Sequence, residues 1–204
     1  MQKVKLFITE SWLLIVAAIL FGSLLAFTSA AWAPRIRQNE IDKFNRLAGG
    51  LIDGATDFEP LAERISIPGR KGKTIEVEVK RGLNAKGQPV GWAFVAVGSG
   101  FADKIRLVAA VDADFETLRG FGVLSSNETP GFGDQINQTG PKSFGHQFIG
   151  APAQALNLVK TQPQSDTDVA AISGATVTSQ AVVDTLNSYV VPIKKSLKEQ
   201  GFIQ

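Results

Sequence analysis

The sequence predicts an α+β fold: one N-terminal transmembrane helix, then a single domain with an antiparallel sheet and flanking helices. Three observations predict it. Residues 11–34 carry no charge at all, several short segments between 74 and 124 read as strands, and the last apolar series, 182–197, recurs at helical spacing. The expected divisions are a short cytoplasmic N-terminus at 1–11, the transmembrane helix at 12–34, a helical connector at 35–50 and the folded domain at 51–204.

The anchor comes first. Trp12 to Trp32 is a run of 21 residues, about 31 Å as a helix and close to the hydrocarbon thickness of a bilayer. A tryptophan at each end matches an interfacial aromatic belt. Ala31-Trp32-Ala33 has the form of a signal-peptide cleavage site, but Pro34 would occupy the first mature position and the apolar run is long for an h-region. A pilin-like start at Phe7-Ile8-Thr9-Glu10 fails because Leu6 stands where a small residue is needed. A retained anchor is therefore expected. Lys3 and Lys5 precede it, whereas Arg35, Arg37, Lys43 and Arg46 follow, so a literal positive-inside count puts the C-terminal domain in the cytoplasm.

Beyond the anchor, Ile41, Phe44 and Leu47 or Ala48 form one apolar stripe that continues the helix to a stop at Gly49-Gly50. Thr74–Lys80 alternates as a strand, and Asn84–Gly87 is a turn. Val90–Val97 reads as a strand buried on both faces. Lys104–Val111 and Thr117–Leu124 are further strands, spaced closely enough for an antiparallel meander. Ser126–Gly145, rich in glycine and proline, is a loop, and Leu156–Lys160 is another candidate strand. The final helix puts Val182, Leu186, Tyr189, Ile193 and Leu197 on one face, with Pro192 expected to kink or split it.

Composition excludes several functions. Lysine plus arginine number 21 against 19 acids, a net charge of +2, without the basic excess of a nucleic-acid binder. No cysteine is present, which removes disulfides, thiolate metal sites and a cysteine nucleophile. The single histidine, His146, lies between Phe144 and Phe148 and reads as structural; it cannot build a multi-histidine metal site. A hydrolase resting on it would lack a nucleophile elbow. No independent catalytic residue is evident, and no metal ligand set.

The informative stretch is Asp168–Asp184. Ser173-Gly174-Ala175-Thr176 opens the last helix, with Thr178 and Ser179 close behind. Some of these hydroxyls are expected to cap the helix. The same place suits an anion, because free amides and the helix dipole face it and Gly174 and Ala175 leave space for a large group. A second stretch, Asn127–Asp134, places Pro130 and Gly131 in a tight turn, with Gly133 allowing close backbone approach and Glu128 and Thr129 offering polar contacts.

The first stretch resembles the attachment motif of proteins that carry FMN through a phosphoester to threonine, Asp-x-x-Ser/Thr-Gly-Ala-Thr. Glu128-Thr129-Pro130-Gly131-Phe132-Gly133 resembles an upstream segment of the same family, with Phe132 in place of the usual leucine. One departure is Ala170, where the motif has an acid; Asp168 is the nearest one. Asp53-Gly54-Ala55-Thr56 is a near match without the following hydroxyl cluster, and reads as a turn.

In layout, the chain is similar to the G subunits of Rnf electron-transport complexes and the related C subunits of sodium-pumping NADH:quinone reductases. The resemblance implies a membrane-anchored flavoprotein subunit of an ion-translocating electron-transport complex (ferredoxin:NAD in the Rnf type), with an FMN-binding domain at 51–204. FMN esterified to Thr176 would be held by Ser173, Gly174, Ala175, Thr178 and Ser179 and by Glu128, Thr129, Gly131, Phe132 and Gly133. It further implies a flavin transferase for maturation, other membrane subunits and the lipid bilayer as partners, no nucleic acid, and a bacterial inner membrane location with the C-terminal domain periplasmic. The competing readings are a noncovalent FMN-binding domain and a cofactor-free anchored binding domain.

Overall fold

The computed structural model describes the backbone of residues 2–69 and 72–203, and the side chains of residues 11–69 and 72–203. Two units result, residues 1–42 and 43–204. Helix α1 is Gln2–Leu51. Its apolar part includes an 18-residue window of mean hydropathy 2.3 with none of it buried, as expected where lipid rather than protein is the solvent. The side chains of Lys3 and Lys5 lie outside the described residues. Pro34 is accommodated within the helix.

In the second unit, α1 does not stop at Gly49-Gly50. It runs to Leu51, and Ile52 N–H still donates to Ala48 O at 2.9 Å. The two glycines cost about 1 kcal/mol each, and burial of Phe44, Ala48 and Ile52 outweighs that. The chain then turns at Gly54, whose φ of +81° belongs to the left-handed region. Asp53–Thr56 is a turn, as expected. Ile41 departs from the predicted stripe: it is exposed, and Ile52 takes its place in the buried series.

Nine strands follow among the described residues. Strands β1 (Asp57–Pro60), β4 (Val79–Leu83), β5 (Pro89–Ser99), β6 (Lys104–Asp112) and β7 (Leu118–Ser125) form a sheet in the order β1-β4-β5-β6-β7. All of its pairings are antiparallel, with Phe94 opposite Ala109 and Ala109 opposite Phe121 at the centre. The expected meander is thus present. The single strand expected at 74–80 is instead two. β3 (Thr74–Val77) pairs with β2 (Ile65–Pro68), whereas β4 joins the large sheet. Alternation continues through both, with Val77 and Val79 buried, because it records which face is covered and not which strand is the neighbour.

Both faces of the large sheet are covered, which explains the apolar run in β5. One face presents Trp92, Phe94 and Ala96 to helix α2 (Thr176–Glu199), whose Val182, Leu186, Tyr189, Ile193 and Leu197 are all buried. Phe94 stacks on Phe115 and Tyr189, with centroids 6.4 and 6.5 Å apart. The other face presents Ala93, Val108 and Ala110 to Phe44, Ala48 and Ile52. Small residues there allow close approach: a Cβ on Gly122 would lie 2.9 Å from Leu47 Cδ2. Helix α2 is not split at Pro192. The carbonyl that loses its bond is that of exposed Ser188, where water can reach it, and buried Tyr189, Val190, Ile193 and Leu197 secure both sides.

Between β7 and α2, the expected loop contains two 3-10 turns, Gly133–Asn137 and Phe144–Phe148. Phe144 and Phe148 pack edge-on against Phe121. His146 is not part of that buried cluster. Strand β8 (Asn157–Val159) pairs in parallel with β9 (Asp168–Ala170), a three-residue partner with no periodicity to reveal it.

Candidate functional site

Strand β9 delivers the chain to the start of α2. Gln147 clamps it there: Ala170 N–H donates to Gln147 Oε1 at 2.8 Å, and Gln147 Nε2 donates to Ala170 O at 3.1 Å. Asp168 is occupied locally, accepting from the N–H groups of Gln164 at 3.1 Å and Ser165 at 3.2 Å. The backbone then bends through Gly174, φ +78°, a conformation strained for any side chain.

The expected hydroxyl caps are absent. The N-cap is Ala175, with no side-chain cap bond. Two hydroxyls are already used. Ser179 Oγ donates to Ala175 O and accepts from Ile172 N–H, both at 3.0 Å, bracing the turn from inside. Thr178 Oγ1 donates to Glu128 Oε2 at 2.5 Å. Thr176, at the first helical position and half-buried, has no side-chain hydrogen bond among the described residues. The amides of Thr176, Val177 and Thr178 begin the helix and have no carbonyl one turn behind to bond.

These groups open onto a cavity of about 460 Å³ lined by Glu128, Thr129, Phe132 and Gly133 on one side and Gly174–Thr178 on the other. That size lies in the roughly 300–1,000 Å³ range of small-molecule sites. Phe101, from the β5–β6 turn, completes it. Phe101, Phe132 and Val177 are 69%, 56% and 57% exposed, a cluster of apolar side chains at the rim. No lysine or arginine among the described residues lines the cavity.

Residues 100–191, which include the β5–β6 turn, both motifs and most of α2, match the FMN-binding domain family. Over 177 residues the chain is 33% identical to the G subunit of the ion-translocating oxidoreductase complex of Methanosarcina acetivorans, covering 87% of this chain and 89% of that one. The chain belongs to the family of ion-translocating oxidoreductase complex G subunits. It is also 31% identical to the G subunit of the Na(+)-translocating ferredoxin:NAD(+) oxidoreductase complex of Acetobacterium woodii, over 65% of this chain and 61% of that one. The fold matches the crystal structure of the C subunit of the Na(+)-translocating NADH-quinone reductase from Parabacteroides distasonis. The TM-score is 0.55 at 19% identity, over 78% of this chain and 95% of the other.

In this member of the G family, most of the residues singled out in the two motifs meet at one cavity although about 50 positions separate them, as Thr178 and Glu128 show. Three do not line it. Ser173 faces a neighbouring polar cleft with Lys142 and Gln135. Ser179 is buried behind the helix turn. Gly131, φ +79°, shapes the loop and has open space around it. Phe101 and Val177 are additions that the motifs do not announce. Val177 lies inside the first motif as the one apolar residue among hydroxyls, a signal available in the sequence. Phe101 comes from a turn that has no motif of its own.

Proposed function

We propose that this chain is the membrane-anchored, flavin-carrying G subunit of an Rnf-type ion-translocating electron-transport complex, with FMN esterified through its phosphate to Thr176 Oγ1. The observation that carries the reading is the isolation of that hydroxyl. Of the hydroxyls on the first turn of α2, it alone borders the cavity without a hydrogen-bond partner among the described residues.

The surroundings favour an ester over free FMN. A phosphate monoester carries about −1.5 to −2 charges at neutral pH, and the cavity lining has no basic side chain among the described residues to balance them. A diester carries a single charge, within reach of the free amides of Thr176–Thr178 and the helix dipole. Gly174 and Ala175 leave the backbone open to the phosphate, while Phe101, Phe132 and Val177 provide apolar surface for a flat ring and keep water from it. The bound isoalloxazine would supply one- and two-electron exchange, so the chain needs no acid or base of its own. The remaining parts of the reading are a span at 12–34, a domain in the periplasm, other membrane subunits as partners and a flavin transferase to form the ester. The C subunit of a sodium-pumping NADH:quinone reductase shares the fold, but membership of the G-subunit family favours the Rnf type.

Intact-mass analysis of denatured full-length chain, produced with and without an active flavin transferase, tests this. One added FMN, minus the elements of water, is expected only with the transferase. Unmodified chain in both preparations would refute the covalent reading.

A further inference from the structure

Glu128 reads in the sequence as a polar contact to the ligand, but its oxygens are directed elsewhere. It is 6% exposed. Oε2 accepts from Thr178 Oγ1 at 2.5 Å, on the first turn of α2, and Oε1 accepts from Ala102 N–H at 3.1 Å, in the β5–β6 turn. Two glycines make room for this one side chain. A Cβ on Gly100 would lie 2.2 Å from Oε1, and a Cβ on Gly133 would lie 2.7 Å from Oε2 and from Thr178 Oγ1. Each glycine adjoins a rim aromatic, Phe101 or Phe132. Three segments distant in sequence are thus joined through one carboxyl group, and both aromatics are attached to the joined parts.

Taking the cavity as the FMN site, as proposed above, we infer that Glu128 is a positioning residue. It locks the β5–β6 turn, the 128–133 loop and the start of α2 into one rim, and so sets how far Phe101 and Phe132 shield the flavin. The role is geometric and not one of charge. A glutamine can serve it, because its Oε1 still accepts from Ala102 and its amide donates to Thr178 Oγ1, a hydroxyl able to accept as well as donate.

The test compares full-length wild type, Glu128→Ala and Glu128→Gln. In flavin-free chain, Glu128→Ala should speed amide exchange about tenfold at Ala102 and at Ser179 together, whose N–H groups bond Glu128 Oε1 and Ala175 O; Glu128→Gln should leave both near wild type. In chain loaded by a transferase, Glu128→Ala should steepen iodide quenching of flavin fluorescence and move the midpoint potential, again with Glu128→Gln close to wild type. Thr178→Val, which removes one partner only, should give the same pattern more weakly and serves if Glu128→Ala does not fold. Faster exchange confined to 126–134, Glu128→Gln behaving as Glu128→Ala, or a loosened rim with unchanged quenching would each overturn the inference. Wild type that takes up no flavin would instead overturn the proposed function, and the exchange data would still judge the clamp.

Discussion

Thr176 and Thr178 lie two residues apart on the first turn of α2, and their hydroxyls have opposite surroundings. Thr178 is buried and bonded to Glu128, whereas Thr176 is half-buried and unbonded among the described residues. Valine in place of each removes only the hydroxyl. Thr178→Val should cost about 1–3 kcal/mol, since it also strands an oxygen of Glu128, and reduce flavin loading at most. Thr176→Val should stay within about 0.5 kcal/mol of wild type and abolish covalent flavin. Urea unfolding and in-gel flavin fluorescence check the pair. The sequence shows a crowd of hydroxyls without showing which is free, because that depends on Glu128, 50 positions away. Asp103 lies in the β5–β6 turn. Its carboxyl titrates below its usual value of 3.8, foremost because the Lys104 backbone N–H bonds it, then through the Asn127 side chain. A lowered folded value means that the tie stabilises the turn above about pH 3.8 and is lost as pH falls through that lower value. Asn127→Ala should move the Asp103 titration, followed by NMR, back toward 3.8.

At the scale of elements, α2 supports the site through its fit on β5. The contact is tight at one point, where a Cβ on Gly98 would lie 1.8 Å from Thr185 Oγ1. Thr185 is buried and donates to Ala181 O. Gly98→Ala should therefore destabilise the domain by about 1–3 kcal/mol, and adding Thr185→Ala should recover much of the loss; thermal unfolding of the single and double variants measures it. Such a coupled pair is not visible in sequence, where the strand reads as ending at Val97 and Gly98 belongs to no motif. The legible elements, β5, β6, β7 and α2, are long: the strands are largely apolar runs covered on both faces, and α2 buries the stripe its helical period marks. Those that differ from expectation are governed by pairing partners or by local braces. β3 and β4 share one alternation but join different sheets, and β9 is three residues held by β8 and Gln147.

For the whole molecule, the apolar run of α1 and the FMN-binding domain match are the two features that define the G-subunit layout. Both are legible in the sequence, the first from length and hydropathy and the second from two short motifs in order. Sidedness is not, because positive charges flank both ends of the span. With the domain outside, protease added to sealed right-side-out spheroplasts should digest residues beyond Gln38; full protection would place the domain in the cytoplasm. The ester at Thr176 can be localised directly. Trypsin cleaving after Lys160 and Lys194 releases residues 161–194, which contain every hydroxyl of the motif. Tandem mass spectrometry of that peptide, from chain matured with a flavin transferase, localises the modification. The flavin phosphate is expected on Thr176 and on no other residue of the peptide; the same mass on Ser173, Thr178 or Ser179, with Thr176 bare, would contradict the ester at Thr176.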